Sequence, residues 1–166
     1  MIRFITMVRK SGGSCEVNIS NDHELYIDIE DTHRKEEVRS IVKQGIHYGY
    51  IKVLINEVDP FVTYERQIIP LQWLRYIELF EELVEKQNVC TKDPNDIHLK
   101  KLDQDFLEFI VQEKVFILSY TNFINEFIDS AKKYFEIFTK YAQDSIYEDV
   151  IEHLVQLKNS LYEEKV

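Results

Sequence analysis

The chain is poor in every residue that breaks a helix or staples a loop. Among its 166 residues are four glycines, three prolines and two cysteines. The glycines, Gly12, Gly13, Gly45 and Gly49, all lie in the first third, and the prolines are Pro60, Pro70 and Pro94. Asn95 to Val166 therefore has neither, which predicts a C-terminal part built almost wholly of helix. The lack of glycine also excludes phosphate-cradling loops. Ser11-Gly12-Gly13-Ser14 has neither the Gly-Lys-Ser/Thr ending of a P-loop nor dinucleotide-fingerprint spacing. No serine sits between glycines as a nucleophile elbow requires.

Cys15 and Cys90 are far apart and form no Cys-x-x-Cys pair, so a structural zinc site is not expected and free thiols are. Long apolar runs are missing as well. The longest uncharged stretch is Val115 to Asn125, and it contains Ser119, Thr121 and Asn122. A membrane span needs about 20 mostly apolar residues. Arg3, Arg9 and Lys10 interrupt the N-terminus before a secretory apolar region forms, so a cytoplasmic protein is expected. Alanine occurs only at Ala131 and Ala142, while Ile, Tyr, Phe, Lys and Asn abound. That bias fits an AT-rich genome, bacterial or phage.

Basic residues are outnumbered too. Lys and Arg total 20 against 30 Asp and Glu, for a net charge of −10. Wrapping duplex DNA needs the opposite balance, so duplex nucleic acid is not an expected partner. Residues 1–100 carry −4 and residues 101–166 carry −6. An acidic surface attracts basic proteins and speeds their association.

With 45 % hydrophobic and 13 % aromatic residues, the chain has ample material for a core. Alternation predicts strands over Ile2–Arg9, Glu16–Ser20 and Leu25–Glu30, with a turn at Asn21-Asp22. A short helix is expected over Arg34–Gln44, closed by Gly45. Further strands are expected over Tyr50–Ile55 and Phe61–Ile69. A helix follows from Pro70 to about Gln87, striped by Trp73, Ile77, Phe80 and Val84. Asp93-Pro94 restarts the chain. Helical spacing then runs from Leu102 through Phe106, Phe109, Phe116 and Phe123 to Ala142, with a break expected near Ser119–Asn122. A last helix is expected from Ser145, where Ser145 and Glu148 fit a capping box. The fold class is α+β. Residues 1–69 form a mainly antiparallel sheet of four or five strands with one short helix. Residues 70–166 form about four helices in a layer or bundle, and the whole makes one compact domain.

Chemistry-bearing residues are sparse. His23, His33, Asp28 and Glu30 flank one strand, where a small metal-dependent hydrolase or nuclease would place a site. The polar face of an alternating strand accounts for the same carboxylates. Asp149 and His153 stand four apart on the last helix, but a carboxylate-bridged metal bundle needs histidines on several helices. Cys15 would act as a nucleophile only with a histidine beside it. No cofactor and no metal is expected. Glu78, Glu81, Glu82 and Glu85 set like charges four apart on one helix, a small cost that a basic partner would relieve. Tyr48 and Tyr50 flank a turn and could anchor such a partner. The expectation is therefore a non-catalytic interaction protein such as an immunity protein, antitoxin, anti-defence protein or regulatory subunit. The alternatives are the hydrolase and a helical protein that self-associates.

Overall fold

A computed structural model describes residues 1–10, 23–61, 66–86, 88–90, 97–111 and 113–163. The expected strand Glu16–Ser20, the turn at Asn21-Asp22, Cys15 and Asp93-Pro94 lie outside these residues.

The first sheet is antiparallel in the order β2-β1-β3-β4. Its strands are β1 (Ile2–Arg9), β2 (Tyr26–Asp28), β3 (Tyr48–Ile55) and β4 (Gln67–Ile68). Central β1 buries Ile2, Phe4, Thr6 and Val8, the alternation its sequence shows. The β1–β3 ladder runs from Ile2 opposite Ile55 to Val8 opposite Gly49. A Cβ on Gly49 would stand 1.8 Å from the Met7 carbonyl oxygen, so only glycine lets the two backbones approach. Between β2 and β3 lies α1 (Lys35–Val42), which buries Val38, Ile41 and Val42. Gly45 follows at φ +82°, the left-handed conformation expected of a residue closing a helix. The chain turns after β3 at Asn56-Glu57, both at positive φ.

Helix α2 (Ile69–Lys86) buries Trp73, Ile77, Phe80 and Leu83. The helical reading of the next segment is overturned. Residues 88–119 carry a second antiparallel sheet, ordered β5-β6-β7-β8. These strands are β5 (Asn88–Cys90), β6 (Ile97–Lys101), β7 (Phe106–Val111) and β8 (Lys114–Ser119). The β6–β7 and β7–β8 turns manage without glycine or proline. Asp103 Oδ1 accepts from the backbone N–H groups of Asp105 and Phe106, both at 2.8 Å. Glu113 takes φ +65° between β7 and β8. The breaker argument failed because an aspartate side chain and a left-handed glutamate replaced the breakers.

A boundary does fall at Ser119, but it parts strand β8 from a helix rather than two helices. Ser119 caps α3 (Tyr120–Ala142), its Oγ accepting from the Asn122 N–H at 3.4 Å. Gln143 ends the helix in the left-handed region at φ 55°. Helix α4 (Glu148–Glu163) starts three residues later than the capping-box reading placed it. It runs antiparallel to α3: Tyr147 meets Phe138 at one end, and Lys158 meets Asp129 at the other. Among the described residues, α2, α3 and α4 follow the first sheet. The fold is α+β with a helical C-terminal part.

One continuous cluster of buried side chains joins all these parts. Phe4 of β1 touches Trp73 of α2 and both Phe123 and Phe127 of α3. Phe123 in turn touches Phe109 of the second sheet. The two sheets therefore share α2 and α3 as their common apolar support.

Candidate functional site

Two of the four carboxylates of the α2 stripe are engaged within the chain. Glu81 pairs with His153 of α4, and Glu82 with Lys86 at 3.6 Å. Glu78 and Glu85 are exposed. Tyr48 is 41 % exposed, and the Arg66 guanidinium lies 4.6 Å from its ring centre. Tyr50 is only 2 % exposed and packs edge-on against Tyr26 at 5.0 Å. Its burial corrects the expectation of a surface anchor: on the face of β3 opposite Ile51 and Val53 it is covered beside Tyr26, and desolvation pushes its hydroxyl up to about 12.

The hydrolase alternative rests on Asp28, Glu30, His23 and His33. Asp28 ends β2, and Glu30 follows it. His33 is exposed on the turn before α1, and its backbone N–H donates to Asp31 Oδ1 at 2.9 Å. The side chain of His23 lies outside the described residues. Among the described residues, no group of three or more His, Cys, Asp or Glu is placed to hold a metal ion.

Asp28 and Glu30 instead line a cleft of about 260 Å³ between the first sheet and α3. Arg3, Phe4 and Ile5 of β1 form one wall, and Glu126, Asp129, Ser130 and Lys133 of α3 the other. Four carboxylates thus face two cations. Lys133 reaches across to Glu30, and Lys158 of α4 holds Asp129 at 2.6 Å. Asp129 and Lys133 stand four apart along α3, yet each pairs with a residue of another element. Glu136 pairs with Lys132 at 3.3 Å. Asp28 and Glu126 stand outside these ion pairs. Burial pushes the Asp28 carboxyl above its ordinary range, and Glu30 and Asp31 nearby add to the rise. The Glu30 N–H, donating to Asp28 Oδ1 at 2.9 Å, and Lys133 oppose it. The cleft thus gathers four carboxylates beside two cations.

No sequence signal marks Arg3, Glu126 and Lys133 as neighbours of Asp28. They come from distant elements, and only the packing of α3 on β1 brings them together. Behind this wall, His47 is 3 % exposed. Its Nδ1 lies 3.0 Å from the Gly45 carbonyl oxygen and its Nε2 lies 2.9 Å from the Tyr134 hydroxyl. A neutral ring with the proton on Nδ1 satisfies both: it donates to Gly45 and accepts from Tyr134. Burial pushes His47 below its ordinary value and Tyr134 well above. Both stay uncharged structural groups near neutral pH.

The chain matches no family model, no curated protein and no solved structure. No helix of the described residues is long and apolar enough to cross a membrane.

Proposed function

We propose that the protein is a non-catalytic cytoplasmic binding module that docks a basic protein, as an immunity protein, antitoxin, anti-defence protein or regulatory subunit does. The observation that carries this reading is the cleft between β1, β2 and α3. It is large enough for a lysine or arginine side chain, and its four carboxylates outnumber its cations. Asp28 is held there against the cost of burial, and a cation from a partner would relieve that cost. The net charge of −10 would speed the encounter. The docking region moves accordingly from the α2 stripe, where Glu81 and Glu82 already have partners, to the cleft.

The test is affinity capture with the intact chain at low ionic strength, beside an Asp28→Asn/Glu126→Gln variant. Asparagine keeps the acceptor for the Glu30 N–H, so the local turn survives. A basic protein should bind the parent chain, come off as salt rises, and bind the variant at least about tenfold more weakly. Capture of nothing, or of the same proteins by both chains, overturns the proposal.

A further inference from the structure

The four sheet edges are not equally protected. On the first sheet the edge strands β2 and β4 have three and two residues, and on the second β5 has three. Short edges of this kind resist pairing with another chain. The fourth edge, β8, has six residues, and all six are paired with β7. Among the described residues, no strand pairs with its other side. Among the described residues, alternate N–H and C=O groups along that side have no strand partner.

Its outer face carries Val115 and Ile117, with Glu108 of β7 opposite Ile117. Val115 and Ile117 are 56 % and 55 % exposed. Beside them on β7, Ile110 lies opposite Val115, and Phe106 is 47 % exposed. The usual protection of such an edge is an inserted charge or a proline. Here the one charged residue, Lys114, stands at the first position, and its ammonium donates to the Pro60 carbonyl at 3.0 Å. From Val115 onward begins the longest uncharged run in the chain.

Charge indicates what can cover this face. Residues 97–119 carry three basic and four acidic residues, so only −1 of the total −10 falls on them. On the outer face, Lys100 and Glu108 sit opposite one another and offset each other. The remainder of the molecule repels its own copies, whereas this face does not. A basic partner finds an excess of only one carboxylate over this segment.

We infer that β8 is a self-association edge. A second copy pairs antiparallel with it about a two-fold axis at Phe116, joining two four-stranded sheets into one of eight. Directly opposed residues in an antiparallel pair share a face. A register centred on Phe116 sets Val115 of each copy opposite Ile117 of the other, forming a patch of four apolar side chains across the axis. The interface is isologous, so it closes at the dimer and does not propagate.

The test is the mass of the intact protein in solution, by light scattering or sedimentation over a range of concentrations. The parent chain should reach twice 19.9 kDa, and raised salt should not dissociate it. Ile117→Lys and Val115→Lys each place two like charges near the axis and should raise the dimer dissociation constant about 100-fold or more. Both side chains are exposed, so unchanged circular dichroism and melting would show that the monomeric fold is kept. A Lys100→Glu change, away from the axis, should leave the dimer in place. A parent chain that stays monomeric throughout overturns the inference. So does a dimer insensitive to both lysine variants, and so does a monomer that takes up an extended apolar peptide along β8 instead. Loss of basic-protein capture in the cleft variant would leave the dimer unchanged, so the two proposals fail separately.

Discussion

Gln143 shows how one residue carries a local cost. It closes α3 at φ 55°, a conformation that glycine adopts without strain and a Cβ makes unfavourable. Gln143→Gly should therefore raise stability by about 0.5–1 kcal/mol, read as a higher denaturant midpoint with unchanged slope. His47 carries a different cost. Its ring is neutral between Gly45 and Tyr134, and its folded proton affinity is depressed by burial. The unfolded imidazole takes up a proton below about pH 6.5, while the folded ring resists until lower pH. Stability from this group is thus complete above that value and declines as pH falls toward the folded pKa. Urea unfolding near neutrality and about one unit below pH 6.5 should show the decline. A His47→Asn chain, though less stable, should show a shallower dependence on pH.

At the scale of elements, the sequence was most legible where one period dominates. β1, α1, β3 and α2 were read with the right type and nearly the right ends. Their apolar residues recur cleanly at two or at three to four, and Pro70 and Gly45 mark boundaries. Ser119 was read as a boundary, though one between two helices, because a hydroxyl there can accept a helix N–H. The segment from Ile97 to Ser119 was misread for a physical reason. Phe106, Phe109 and Phe116 fit a helical stripe, yet in the sheet Leu107, Phe109 and Val111 are the buried set, at every second residue. Short apolar runs satisfy both periods, and only strand pairing separates them. The turns gave no warning, because Asp103 and Glu113 do what glycine or proline usually does. The ion pairs escaped for a related reason. Lys133 and Asp129 fit one another along the helix, but each found a partner on another element.

Over the whole molecule, Phe4 is the side chain through which the first sheet meets both central helices. Through Phe123 and Phe109 the same contact reaches the second sheet. Phe4→Ala should cost about 3–5 kcal/mol, because a ring in this aromatic cluster leaves a cavity its neighbours cannot close. The shared core carries a further expectation. Thermal unfolding should follow one transition by both far-ultraviolet and aromatic signals, and Phe4→Ala should lower its midpoint without splitting it. Two separate transitions would show that the sheets unfold independently despite their common cluster.

The sequence by itself determined the α+β class, the first sheet, the helix at Pro70, the boundary at Ser119 and the acidic balance of the surface. Each follows from local periodicity, capping chemistry or composition, which act over a few residues or need no geometry at all. The tertiary structure decided the rest. It turned Ile97–Ser119 into strands, buried Tyr50 and left Tyr48 exposed. It assembled Arg3, Asp28, Glu30, Glu126, Asp129 and Lys133 around one cleft. Those outcomes depend on which distant face packs on which. That choice is made by the shared aromatic core, whose contacts join residues far apart in the chain.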